Sequence, residues 1–377
     1  MRLVATNRLT PEMTLGRDVV TGVHGQLPLL RAGVRLRPEY QQALRDAGVH
    51  AVYVEDELGA GIEVPQTLSE QTREKATKAL QRSFGEAPAL AAAGDALPES
   101  SIAELATVAE LICTELAGAE DAVLAFSDLA AADQYTLQHS IDVTALGILI
   151  ARTRFQTHGH PAPLGKRGFD QIDRQLVLLG VGLLLHDVGK VSIPDAILNK
   201  PGPLDADEMA LMRTHPQVGI ELLPGDMVGP LAKSVVRSHH ERWDGAGYPH
   251  GVAGLAIPEF ARIAAVADVF DAITSERPYA SAQPASKGVR VIVENAGTQF
   301  DAEIVDTFRK LVAPYPPGSE IVLADGRRAI VVSVPPVCLE LPLVRVYADA
   351  AGPVAPQELD LAAYPEYAPR DGLAPAA

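Results

Sequence analysis

Residues Arg174 to Lys190 read RQLVLLGVGLLLHDVGK. From Leu176 to Leu185 no face of the expected helix is polar, so this helix must be enclosed by protein. His186, Asp187 and Lys190 then end it deep inside. A carboxylate left unpaired there would be strongly destabilising or forced to protonate, so Asp187 wants a cation. A metal shared with His186 is one answer, and a salt bridge to Lys190 is the other. Taken alone, the motif leaves both open.

The rest of the chain agrees with a helical surrounding. Its 377 residues can make two or three domains around a large core. Hydrophobic residues are 47% and aromatics only 5%, an Ala/Leu/Val-rich balance that favours a mainly α protein over a β-sandwich. The net charge of -16 argues against a polymeric nucleic acid partner, because such surfaces cluster Lys and Arg. An anionic substrate would then need a local positive site, which divalent metals supply. Cys113 and Cys338 stand far apart, so neither a disulfide framework nor a Cys-rich zinc site is expected. The start MRLVATNRLTPEM lacks the apolar run of a signal peptide, and Leu176 to Leu185 is about half of what a bilayer requires. No membrane span and a cytoplasmic location are expected.

Four regions follow from composition. Residues 1–66 alternate short β-rich runs with one helix near Pro38 to Ala47, a small α+β module whose His24 reads as a solvated turn residue. Residues 67–130 read as a helical connector interrupted by a flexible stretch from Gly85 to Ser100. Residues 131–312 are strongly helical and hold nearly all the chemically suggestive side chains. Residues 313–377 read as a hairpin-like β appendage turning at Asp325-Gly326, with a tail fraying from Gly352 onward.

Within the third region the candidates recur in clusters. In DQYTLQHSIDVTALGILI, His139 shares a stripe with Val143, Leu146 and Ile150 and so faces the core, as a ligand or as a hydrogen-bonded core residue. In MRTHPQVG, His215 precedes a proline and is expected at a helix boundary in non-helical geometry, suited to a ligand, a cap or a turn. SHHERWDGAGYPHG supplies His239 and His240. Adjacent helical side chains diverge by about 100°, so both can reach one ion only near a helix end. A plain Gly-rich turn explains Gly245, Gly247 and Gly251 but not the histidine pair. In ARIAAVADVFDAITSERPYA, Asp268 and Asp271 share one face of an apolar helix, although either acid alone would suit a cap or a surface position. Five of the ten histidines fall in this set. Together His139, His186, Asp187, His215, His239, His240 and Asp268 make seven N and O donors, too many for one tetrahedral ion and suited to two ions sharing a carboxylate.

The ordered motifs His139, HDVGK, His215, HHERWDGAGYP, ADVFDA and RPY resemble the HD-GYP branch of the HD-domain metal-dependent phosphohydrolases over residues 131–312. The resemblance implies an HD-type helical bundle and a phosphodiesterase that hydrolyses cyclic di-GMP to pGpG or GMP by attack of a metal-held hydroxide. It further implies that His139, His186, Asp187 and Asp268 hold one ion and Asp187, His215, His239 and His240 the other. Lys190 would contact the scissile phosphate, Asp271 would support the metal site and its water, Arg277 would contact a phosphate, and Gly247 and Tyr248 would contact the substrate. Iron or manganese suits this donor set, which also admits zinc or nickel.

Three positions depart from the family pattern. Tyr135 stands where members with a third metal carry glutamate, which points to two metals here. Ala280 follows RPY where a basic residue is common, and residues 154–173 read as an inserted loop that could cover or regulate the site. Two other readings stay open: a phosphohydrolase for another nucleotide or cyclic dinucleotide, and a cyclic di-GMP-binding scaffold with negligible turnover whose partner would be a GGDEF-type cyclase or another signalling protein.

Overall fold

The computed structural model describes residues 1–19, 28–118, 135–162, 165–225, 228–275 and 282–370. His24, Arg277 and Ala280 lie outside these residues, as does the side chain of Tyr135. At the N-terminus, β1 (Arg2–Ala5), β2 (Thr14–Leu15) and, after the helix α1 (Pro38–Asp46), β3 (Ala51–Glu55) form an antiparallel sheet of order β1-β3-β2. Leu44 of α1 meets Leu15, Val52 and Val54 in a small apolar core. Pro38 occupies the first turn of α1, where its missing N–H has no helical partner to lose.

Two helices come next, α2 (Glu70–Ala93) and α3 (Glu99–Ala117). Ser69 caps α2 by accepting the Thr72 N–H at 3.3 Å, and Gly94 ends it in the left-handed region at φ 74°. The expected flexible stretch from Gly85 to Ser100 is not what forms. The helix α2 runs on through Gly85 and Pro88, and only Gly94 to Pro98 breaks it. Tertiary packing overrides local propensity here: Ala87 is fully buried, and the Leu97 N–H donates to Leu222 O at 2.8 Å. Leu80, Leu105 and Ile112 share one core with Leu179 and Leu183, so these helices wall the main bundle rather than merely connecting to it.

The bundle continues with α4 (Tyr135–His158), the short hairpin of β4 (His160–Pro161) and β5 (Arg167–Gly168), and α5 (Ile172–Leu184). A 3-10 turn over Val188–Ser192 leads into α6 (Asp195–Leu198), α7 (Ala206–Met212), α8 (His215–Glu221) and α9 (Pro230–Ser238). Three more helices, α10 (Glu259–Thr274), α11 (Ala285–Glu294) and α12 (Ala302–Arg309), complete it. The apolar α5 is central and packs on α3, α4 and α9. Its glycines permit that crowding. A Cβ on Gly180 would lie 2.9 Å from the Ala109 Cβ of α3, and one on Gly182 would lie 2.7 Å from the Ala232 carbonyl of α9. Ile172–Ser192 is long and apolar enough to cross a membrane by length and composition, but most of its apolar stretch is buried inside the fold.

The C-terminal strands β6 (Glu320–Val322), β7 (Arg328–Ser333), β8 (Leu343–Asp349) and β9 (Gly352–Asp360) form one antiparallel sheet in chain order, more than the expected hairpin. The Asp325-Gly326 turn joins β6 to β7, with Gly326 at φ 89°. The expected fraying from Gly352 is overturned, since β9 pairs with β8 from Gly352 opposite Asp349 to Asp360 opposite Leu343. As the edge strand, β9 tolerates Pro353 and Pro356 without breaking a ladder on both sides. This sheet packs on the N-terminal one through Ile330, Tyr53, Ile62 and Val64, and the Leu3 N–H donates to Gly318 O at 2.9 Å.

Candidate metal centre

Where α5 ends, the chain turns so that His186 and Asp187 are both 1% exposed. The His186 Nδ1–H donates to the Leu183 carbonyl at 2.7 Å, and since a carbonyl cannot donate, the proton is fixed on Nδ1. Its Nε2 lone pair then faces inward, buried and without a hydrogen-bond partner. The same device recurs. His215 Nδ1 bonds Met212 O at 2.9 Å and His239 Nδ1 bonds Val235 O at 3.0 Å, so both present Nε2 to the interior. The two Nε2 atoms lie 3.4 and 3.8 Å from Asp187 Oδ1, an oxygen that is itself buried and unpartnered.

His215 departs from its expected non-helical geometry. It is the first residue of α8, with Thr214 before it already helical and Pro216 in the first turn, where proline fits. His239 caps the C-terminus of α9, and the chain bends there so that His240 turns to the same centre. The helix α10 brings Asp268 and Asp271 to His139 of α4, with Asp271 Oδ2 2.6 Å from Nδ1 and Asp268 Oδ1 3.2 Å from Nε2. The Ser275 hydroxyl donates to the other Asp271 oxygen at 2.9 Å.

Two donor sets emerge that share Asp187: Asp187, His215, His239 and His240, and His139, His186 and Asp187, each with its ligand atoms within 4.8 Å of one another. Asp268 lies between them, 3.2 Å from His139 and 3.9 Å from His240. The salt bridge from Lys190 to Asp187 also exists, at 2.5 Å, but it occupies Oδ2 alone. Two orphaned buried acceptors, His186 Nε2 and Asp187 Oδ1, therefore fit a cation, and the group is one able to hold a metal ion.

The electrostatics of His215, His239, His240 and Asp187 point the same way. Burial lowers the pKa of His215 and takes that of His240, whose side chain is 25% exposed, down to about 3. Burial and the neighbouring imidazoles hold His239 well below its usual value. All three imidazoles are therefore neutral at pH 7. Against burial, Lys190 keeps Asp187 ionised, well below the usual carboxylate range. Burial also pulls on His139, but hydrogen bonds to Asp268 and Asp271 raise it to about 9.

Tyr248 closes one side, its ring stacked on His240 at 4.7 Å and 27°. Gly247 serves the loop itself, since a Cβ there would lie 2.5 Å from His240 O and 2.4 Å from Arg242 N. Sequence reasoning missed Glu241, whose buried carboxylate accepts the His250 and Val252 N–H groups and clamps this loop. It also missed the buried pair of Arg73 on α2 and Asp142, one helical turn from His139, at 2.9 Å. No local signal marks either. The inserted segment completes α4 and then anchors Arg167 and Arg154 on Glu259 at the start of α10, about 13 Å along that helix from Asp268.

Residues 173–304 match the family model described as HD domain. That segment is thus similar to the HD-domain family. It is 39% identical over 244 residues to cyclic di-GMP phosphodiesterase PA4108 of Pseudomonas aeruginosa, covering 64% of this chain and 55% of that one. Over 152 residues it is 43% identical to the cyclic di-GMP phosphodiesterase response regulator RpfG of Xanthomonas campestris pv. campestris, 39% of either chain. Over 124 residues it is 43% identical to the 3'3'-cGAMP-specific phosphodiesterase 2 of Vibrio cholerae, 32% of this chain and 24% of that one. The chain thus spans between a quarter and about half of the length of these relatives.

Proposed function

We propose that this HD domain hydrolyses a cyclic dinucleotide, cyclic di-GMP first, to pGpG or GMP. The observation that carries the reading is the pair of donor sets sharing Asp187, with Lys190 at its edge. His139, His186, Asp187 and Asp268 would hold one divalent ion and Asp187, His215, His239 and His240 a second, iron or manganese suiting the thiolate-free donors. Bound ions there would supply Lewis-acid charge for a phosphodiester and acidify water near neutral pH.

The chain's own groups do the rest. Asp271 fixes the ring of His139 through Nδ1, as an outer carboxylate does for a ligating histidine. Lys190, its side chain 26% exposed, can turn from Asp187 to a phosphate oxygen as charge builds there. Burial raises the Tyr248 pKa, so its phenol stays a neutral donor beside the substrate. Arg277 would contact a phosphate and Gly247 would let the nucleotide approach the loop.

The likeness to a 3'3'-cGAMP-specific enzyme favours a second reading, the mixed cyclic dinucleotide as substrate. The test is anaerobically purified protein, with metal counted per chain, incubated separately with cyclic di-GMP and 3'3'-cGAMP and the products separated by chromatography. Two metals and release of pGpG or GMP is the expected result. Cleavage of 3'3'-cGAMP alone selects the second reading, two metals with binding but no turnover selects a scaffold, and no metal refutes the ligand assignment.

A further inference from the structure

Arg213 follows α7 and precedes His215 by two residues. Its guanidinium carbon lies 5.3 Å from the centroid of the Tyr248 ring, the ring that stacks on His240. The side chain is exposed, and among the described residues it has no carboxylate partner. Other arginines of the bundle are paired with carboxylates: Arg242 with Asp244, Arg262 with Asp301, and Arg154 and Arg167 with Glu259. In a chain of net charge -16, an uncommitted guanidinium beside the donor cluster is a place for an anion.

A cyclic dinucleotide carries two phosphodiesters on opposite edges of one macrocycle. With one at the cluster, the other lies off it and needs its own cation. A guanidinium offers paired donors that match two phosphate oxygens, and stacking on an aromatic face holds it in place before the ligand arrives. We infer that Arg213 binds the second, non-scissile phosphate of the cyclic dinucleotide, an assignment that rests on the function proposed above. It acts on binding, since it is remote from the bond that breaks.

The metal-loaded full chain and its Arg213→Ala and Arg213→Lys variants are compared on cyclic di-GMP and on bis(p-nitrophenyl) phosphate, a diester with a single phosphate. In Arg213→Ala the KM for cyclic di-GMP rises about 10- to 100-fold with kcat nearly unchanged, the size of one charge-assisted hydrogen bond lost equally from ground and transition states. Arg213→Lys recovers part of the loss, because it keeps the charge and loses the fork. Neither variant changes the kinetics on the one-phosphate diester. A KM within twofold of the native value, or an equal loss on both substrates, overturns the inference while leaving the proposed function standing. Native protein that cleaves the simple diester but no cyclic dinucleotide overturns both.

Discussion

Asp271 touches no part of the shared donor cluster except through His139, which makes it a clean test of how the site is held. Its Oδ2 lies 2.6 Å from His139 Nδ1, and its Oδ1 accepts the Ser275 hydroxyl at 2.9 Å. In Asp271→Asn the amide oxygen can keep the His139 N–H, while the amide N–H₂ donates to a Ser275 hydroxyl that has rotated to accept. Geometry survives, but a charge-assisted bond becomes a neutral one of about half the strength, a loss of about 1 kcal/mol. Metal affinity should fall about 5- to 10-fold. In Asp271→Ala the ring loses its acceptor in a place where the His139 side chain is 2% exposed. The stranded N–H costs about 1 to 3 kcal/mol, and affinity should fall up to about 100-fold. Competition with a chelator of known affinity reads both values, and circular dichroism checks that the fold is retained. Native-like affinity in Asp271→Ala, or an Asn variant as weak as the Ala variant, would refute the reasoning.

Removing Arg73 or Asp142 should cost about 1 to 3 kcal/mol in urea unfolding, because each side chain is 7% exposed and loses a charge-assisted hydrogen bond, while Asp142 keeps the Gln138 amide, with the double variant less destabilised than the sum of the two singles. Additive losses would show that the pair does not act as one. Gly189→Ala places a Cβ 2.0 Å from His215 O and 2.5 Å from the Gly219 N–H, both backbone, so it should cost at least about 1 to 3 kcal/mol and weaken metal binding together with stability. Unchanged stoichiometry and melting would contradict that contact. Glu259 is held below its usual 4.5, against burial, by Arg167 and Arg154. A depressed carboxylate contributes stability that is complete above its unfolded pKa and is lost as pH falls through the folded one. The urea midpoint should therefore drop below about pH 4.5, and Glu259→Gln should be weaker at pH 7 with a flatter acid limb. The same acid slope in both proteins would remove Glu259 as the cause.

What the sequence made legible is what short-range chemistry determines. An all-apolar run ending in His186 and Asp187 had to bury them, and the His139 stripe had to face inward. Asp268 and Asp271, three apart on an apolar helix, had to share a face, and both do meet His139. What stayed hidden depends on distant segments. Arg73 and Asp142 are 69 positions apart and read separately as surface charges. Glu241 looks like a loop acid until its loop folds back to give it two N–H groups. Strand β9 contains two prolines and reads as a tail until β8 offers it an edge. The helix α2 reads as a linker because its Ala-rich surface becomes a core face only once α3 and α4 lie against it.

That last point bears on where the site is built. The segment matching the HD domain begins at residue 173, yet His139 lies before it on α4, as does the Asp142 that ties α4 to α2. The helix α5 would also lose much of its cover without α3 and α4, exposing an apolar surface that includes Leu176, Leu179 and Leu183. Moreover, α2 packs on the 3-10 turn that carries Lys190, so one helix outside the matching segment touches both the turn with Lys190 and the helix with His139. The donor sets are therefore completed by the helices that precede the segment. The helix α2 thus supports His139 and Lys190 at once, through the buried Arg73–Asp142 pair on one side and packing on the turn on the other.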